Sequence, residues 1–169
     1  MVPSKAAGWG LAVRTGLAAA RGDVLAYTNT ARTLPRSILE FIRVYWTARN
    51  DGHSCLVKAR REARHAPLRA FGSRLYNLEA RLCFGIRCSD VNGTPKVFSR
   101  DLYRSIELTA KGDLVDLELM REVARQDIAV VEIPVHGFRR HGGKSSTTLG
   151  SAWRIYTGAL KLWATGHAA

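Results

Sequence analysis

The chain has 169 residues, 46% of them hydrophobic and 24% charged. That is enough for a globular domain with a core and too apolar for a disordered segment. A net charge of +12 and a pI of about 10.4 favour anionic partners: nucleic acid, an acidic membrane surface or a phosphorylated substrate.

The residues from Ala6 to Arg21 are rich in alanine and leucine and predict a helix, with Ala7, Leu11, Leu17 and Ala18 on its buried side and Gly22 as its stop. Val24 to Thr28 predicts a short buried strand. Pro35 suits the first turn of a helix running through Ala48, with Ile38, Leu39, Ile42 and Tyr45 on one side. Cys55 to Ala59 predicts another strand. Arg69 to Phe84 predicts a long amphipathic helix with Leu75, Leu78 and Leu82 inward. Gly85 to Pro95 reads as loop and Lys96 to Phe98 as strand. Ser99 and Asp113 suit the N-caps of two further helices. Ile128 to Val135 is almost wholly apolar and β-branched, which predicts a central strand. His136 to Thr148 is a polar, glycine-containing loop, and Leu149 to Ala164 predicts a last helix with Trp153, Tyr156, Leu160 and Trp163 at helical spacing. Helices alternating with short buried strands predict an α/β/α sandwich with a mostly parallel sheet, built as one domain over residues 1–169.

No stretch of about 18 uncharged apolar residues is present, and the first residues have no signal-peptide core. Cys55, Cys83 and Cys88 make neither a zinc spacing nor a CxxC pair, and read as small buried hydrophobes in a reducing compartment.

Several groups of residues carry candidate chemistry. Asn29-Thr30-Ala31 follows the first strand, where ligands sit in open α/β sheets; it is either a plain strand-exit turn or a site holding one neutral oxygen donor. Lys58, Arg60, Arg61 and Arg64 follow the next strand. Arginine forks match phosphate oxygens, and a solvated basic loop looks the same. Arg69 and Ser73 lie one helical turn apart and could share a phosphate. Asp90 precedes the turn dipeptide Asn92-Gly93, where its carboxylate could cap the turn, accept a sugar hydroxyl or bind a cation. Asp116 and Glu118 open a helix two residues apart, so at most one points into a given site. Arg139, Arg140, His141, Lys144 and Ser145 surround Gly142-Gly143, a combination suited to a phosphate clamp. It is not a Walker A loop, because Phe138 stands where that motif needs glycine. The aromatic and basic residues of the last helix suit a membrane interface, core packing or a subunit contact.

In series, Ala12 to Val24, Asn92 to Phe98, Asp116-Leu117-Glu118, Glu132-Ile133-Pro134-Val135 and Arg140 to Ser146 resemble family 2 glycosyltransferases of the GT-A fold, near the polyprenyl-phosphate (dolichol-phosphate mannosyltransferase type) sugar transferases. The resemblance runs from about Lys5 to about Ser151. It implies transfer of a sugar from a nucleotide-sugar to a lipid phosphate or similar acceptor. It implies catalytic roles for Asp90, Asp116 and Glu118. Arg60, Arg69, Ser73, Arg140, Lys144 and Ser145 would contact substrate and phosphate. The family uses Mg²⁺ or Mn²⁺ on an Asp-x-Asp motif. Here Asn29, Thr30 and Ala31 stand in its place, so the carboxylate ligands are lost and no metal residue is assigned. The family's opening strands, with their nucleotide-binding aspartates, have no counterpart. The expectation is therefore the acceptor-side portion of a glycosyltransferase domain, a fragment or one completed by a partner or a second copy, marginally stable or self-associating alone. Peripheral membrane contact, to which the basic and aromatic last helix is suited, is expected in the cytoplasm at the inner face of the membrane. The alternative is a non-catalytic basic module that binds a partner or a membrane surface. Nucleic acid is not an expected partner, since no recognition helix or stacking strip stands out.

Overall fold

A computed structural model of the chain describes residues 8–30, 33–50, 54–62, 67–135 and 149–166. The elements, in chain order, are α1 (Trp9–Ala19), β1 (Val24–Tyr27), α2 (Pro35–Asn50), β2 (Cys55–Arg61), α3 (Pro67–Phe84), β3 (Lys96–Ser99), α4 (Arg100–Arg104), α5 (Val115–Arg125), β4 (Ala129–Val135) and α6 (Leu149–Thr165).

The four strands lie in the order β1-β3-β2-β4. β3 runs antiparallel to both of its neighbours, while β2 and β4 are parallel. The α/β sandwich is as expected, but the sheet is mixed: β1, β2 and β4 point one way and β3 is inserted against them. A consequence for chemistry follows. The carboxyl ends of β1, β2 and β4 and the amino end of β3 share one edge, with Tyr27 opposite Lys96, Lys96 opposite Lys58, and Arg61 opposite Val135.

Strand alternation separates two cores. Cys55, Val57, Ala59 and Val97 face α2, where Phe41 and Tyr45 are buried against them. Leu25, Tyr27, Leu56 and Phe98 face the opposite layer, which α1, α3, α5 and α6 build with Val13, Leu17, Tyr76, Ala80, Leu117, Met120 and Leu162. Each fully buried large side chain of this kind contributes about 1.5–3 kcal/mol.

Local chemistry sets several boundaries. Pro35 opens α2, where its missing N–H costs no hydrogen bond. Ser99 caps α4 by accepting the amide of Leu102 at 3.0 Å. α5 starts after Leu114 without a side-chain cap, so Asp113 does not serve as one. α1 ends at Ala19, before Gly22, which is therefore not its stop.

Two predicted faces turn out differently in part, and α6, whose aromatic spacing left core packing, a membrane interface and a subunit contact open, presents Trp153 and Trp163 outward. On α1, Gly10, Val13 and Leu17 are buried, and Ala18 is exposed. On α3 the inward residues are Tyr76 and Ala80, while Leu75, Leu78 and Leu82 are exposed, Leu82 by 76%. On α6 the inward residues are Ala159 and Leu162, and Trp153, Leu160 and Trp163 are exposed. In addition, β4 lies at an edge of the sheet rather than its centre, paired only with β2 among the described residues, and none of its residues is fully buried.

Candidate functional site

The shared strand edge carries a cleft of about 300 Å³. Arg60, Arg61 and Glu62 supply one wall from the end of β2, Ala70, Ser73, Arg74 and Asn77 the other from α3, and Ser89 and Asp90 the floor. Arg60, Ser73 and Asp90, three of the residues expected to contact substrate or act in catalysis, thus line one cavity.

Asp90 is buried and gripped in two-point fashion by Arg61, whose Nε and Nη2 each donate to a different carboxylate oxygen at 2.6 Å. The amide of Arg61 adds a third contact at 3.2 Å. Burial alone would weaken the hold of the guanidinium on its proton, but the Asp90 charge and hydrogen bonds outweigh it and raise the Arg61 pKa. Arg60 is turned the other way. Its guanidinium is 42% exposed and meets Glu62 at 2.6 Å. A solvated pair of this kind is worth little and yields readily to an incoming anion.

The floor is fixed from beneath by Lys58, which has no exposed surface. Its ammonium donates to the carbonyl of Ala59 at 3.0 Å, to the carbonyl of Asp90, and to Glu132 Oε1 at 3.1 Å. Glu132 in turn accepts from the amide and hydroxyl of Ser89 at 2.9 and 2.7 Å. Burial would raise the Glu132 pKa, yet Lys58 and Ser89 together pull it below its ordinary value. The turn after Asp90 closes with Gly93 N–H on the Asp90 carbonyl at 2.9 Å, while Asn77 accepts the amide of Val91 at 3.0 Å. Gly93 lies so close to β2 that a β-carbon there would sit 1.8 Å from the Ala59 carbonyl oxygen. Only glycine permits that approach.

Asp116 and Glu118 do not line the cleft. Asp116 is buried on the α5 side of the sheet, where it accepts from the Lys96 ammonium, from Tyr27 Oη at 2.6 Å and from Trp9 Nε1 at 3.0 Å. Burial lowers the Lys96 pKa, partly countered by Asp116. Burial and the Asp116 charge raise that of Tyr27 well above its usual value. Glu118 is equally buried and ties down the preceding loop, accepting from Thr109 N at 2.8 Å, Thr109 Oγ1 at 2.6 Å and Ala110 N at 2.9 Å. The two carboxylates serve different partners, as their spacing requires.

Asn29 and Thr30 follow β1 at the same sheet edge; the Asn29 carbonyl accepts from Thr33 N at 3.1 Å. Ala31 lies outside the described residues, as do Arg140, Lys144, Ser145 and Arg64. Arg69 is on α3, one turn before Ser73, and its side chain is likewise outside them. The chain leaves β4 for residues 136–148 at Val135, beside Arg61.

Among the described residues the donor set does not suit a divalent cation. Among the described residues, no three His, Cys, Asp or Glu side chains converge as a metal site. Asp90 is committed to Arg61 and Asp116 to Lys96, and Asn29 offers at most one neutral oxygen where Mg²⁺ or Mn²⁺ prefers carboxylates.

Sequence reasoning missed Arg61 as the partner of Asp90, and it missed the Lys58–Glu132 and Lys96–Asp116 pairs. A signal was present: Lys58 sits inside the apolar strand Cys55–Arg61 and Lys96 opens Lys96–Ser99. A lysine buried in a strand requires an acidic partner.

No protein-family model and no curated protein matches this sequence. Solved structures do. The chain superposes on glucosyl-3-phosphoglycerate synthase from Mycobacterium tuberculosis in complex with Mn²⁺, UDP-glucose and phosphoglyceric acid with a TM-score of 0.71, at 21% identity over 96% of this chain and 57% of that one. For the same enzyme with Mg²⁺ and UDP the TM-score is 0.69, at 20% identity over 99% and 58%. A mycobacterial protein gives 0.70, at 24% identity over 96% and 53%. The fold is therefore of the GT-A glycosyltransferase type. The chain spans just over half the length of these structures.

Proposed function

We propose that this chain carries the acceptor side of a nucleotide-sugar glycosyltransferase that acts on a phosphate-bearing acceptor. The observation that carries the reading is the cleft at the strand ends, where Arg60 and Ser73 flank the fixed Asp90–Arg61 pair. The solved enzyme of like fold binds UDP-glucose and phosphoglyceric acid, which supports the same two ligand classes here.

Where the acceptor's own phosphate is the nucleophile, as in a polyprenyl phosphate, it is already ionised at neutral pH and its oxygen attacks the anomeric carbon without a general base. The bond from that carbon to the diphosphate breaks as the new one forms. Catalysis then rests on alignment and on cations that neutralise the departing diphosphate. We assign acceptor binding to Arg60, Ser73 and Arg69, and the diphosphate to Arg140, Lys144 and Ser145. Asp90 is the carboxylate at the reacting end of the cleft, and Asp116 and Glu118 act as positioning residues through Lys96 and Thr109. The finer reading is a polyprenyl phosphate acceptor, following the sequence resemblance.

Calorimetric titration tests this with UDP, 3-phosphoglycerate and a detergent-solubilised polyprenyl phosphate. Wild-type chain is expected to bind at least one phosphate monoester, and UDP only weakly, through the residues assigned to the diphosphate; Arg60→Ala and Ser73→Ala are expected to weaken monoester binding about tenfold with an unchanged melting temperature. Whichever monoester binds decides the acceptor. Monoester binding with no affinity for UDP supports the non-catalytic basic module instead, and no binding of either ligand overturns the proposal.

A further inference from the structure

Among the described residues, seven of the ten large hydrophobic side chains left exposed stand on α3 and α6: Phe71, Leu75, Leu78 and Leu82 on the first, Trp153, Leu160 and Trp163 on the second. The four on α3 recur at spacings of four, three and four residues, which confines them to one stripe. That stripe is opposite the buried Tyr76 and Ala80, so it is a second apolar face and not a frayed margin of the core. The two helices pack against each other. Tyr156 donates its hydroxyl to the Gly72 carbonyl and sets its ring edge-on to Tyr76, centroids 5.9 Å apart. Scattered exposed hydrophobics need no explanation, but two adjoining helices that both face outward with leucine and tryptophan do.

The charges on these helices select the occupant. Among their described side chains the charged groups are Arg74, Arg81, Arg154 and Lys161 against one acid, Glu79. The chain as a whole, these helices included, carries a net charge of +12. A second copy docked on this face would bring like charge to like charge. An anionic bilayer surface supplies the opposite charge along with an apolar interior for the leucines, and tryptophan and arginine are the residues that settle at that boundary. No helix is long and apolar enough among the described residues to cross a membrane, so the contact is lateral.

We propose that the exposed face of α3 and α6 docks on an anionic lipid surface. Arg74 belongs both to this face's helix and to the rim of the cleft, so docking brings the cleft mouth toward the lipid headgroups. The docking does not depend on the chemistry assigned to the cleft.

Co-sedimentation of the full chain with phosphatidylcholine vesicles, with and without phosphatidylglycerol, tests it. Binding is expected only with phosphatidylglycerol present, and it declines as salt is added. Leu82→Glu is expected to weaken it about tenfold and the pair Arg81→Ala with Lys161→Ala about thirtyfold. All three positions are exposed, so circular dichroism and melting of the variants should match wild type, and Asp101→Ala, on α4, should bind as wild type does. Two results overturn the proposal: absence of binding to phosphatidylglycerol vesicles at low salt, or a dimer by light scattering that Leu82→Glu dissociates, which would make a second copy the occupant.

Discussion

Replacing Asp116 by asparagine separates a catalytic carboxylate from one that holds the interior together. In the native state its two oxygens serve three donors: Lys96 and Tyr27 share Oδ1, and Trp9 takes Oδ2. Asparagine has one acceptor oxygen. If that oxygen stays with Lys96 and Tyr27, the new NH₂ group faces the indole N–H of Trp9 at about the present 3.0 Å, donor against donor. If the amide flips, the NH₂ faces a buried ammonium. In either orientation Lys96, which has no exposed surface, loses its nearest counter-charge. Breaking a buried pair from one side costs about 3–5 kcal/mol. For a domain of this size that lowers the melting temperature by roughly 6–20 °C. Removing the cation as well should recover much of the loss, so the double variant Lys96→Met with Asp116→Asn should be less destabilised than the two single effects added together. Thermal and urea denaturation of the four proteins measures this. An Asp116→Asn protein that melts within a degree of wild type, or a strictly additive cycle, would refute the structural role.

Two further outcomes follow from the floor of the cleft. Gly93→Ala should destabilise by about 3 kcal/mol or more, because the added carbon overlaps the Ala59 carbonyl, whereas Gly112→Ala, which meets nothing within 4 Å, should stay within about 0.5 kcal/mol of wild type; urea midpoints compare them. Glu132 has a folded pKa below its ordinary value of 4.5, so its contribution is present above 4.5 and is lost as pH falls through the lowered value. The stability gap between wild type and Glu132→Gln should therefore be wide at neutral pH and close on acidification below 4.5, and a gap that does not change with pH counts against the Lys58 pairing.

The parts of the fold governed by local chemistry were legible in the sequence. Pro35 marked the start of α2, Ser99 capped α4, and the apolar run from Cys55 announced β2. The helical period of Leu75, Leu78 and Leu82 was also real, but periodicity finds a stripe without saying what lies against it. On α3 the core took the less conspicuous Tyr76 and Ala80. The strand at β4 was also legible, but the central position expected for it failed for a related reason. A β-branched run fits a pleated surface, and whether a strand stands on both sides of it is decided by topology, which no window of sequence contains. The antiparallel insertion of β3 was invisible for the same cause. At the cleft, Arg60, Ser73 and Asp90 were singled out by residue type and place and line one cavity, while the supports beneath them were not legible, because Lys58 to Glu132 and Lys96 to Asp116 are pairings across 74 and 20 residues.

Those supports bear on where the protein's charge acts. Each cation held within or beside the sheet has its own acid: Lys58 with Glu132, Arg61 with Asp90, Lys96 with Asp116. With the buried Glu118 added, the described interior carries little net charge, and the chain's excess of cations belongs to side chains outside it. Charge placed there costs little in desolvation and acts at a distance on anions approaching from solution. The buried pairs do the opposite. They are insulated from salt and set the positions of the Asp90 loop and the strand ends with fixed hydrogen bonds. Attraction and alignment are thus carried by separate sets of residues. Added salt should weaken the first and leave the second intact, so the cleft keeps its shape under conditions where it no longer gathers phosphate.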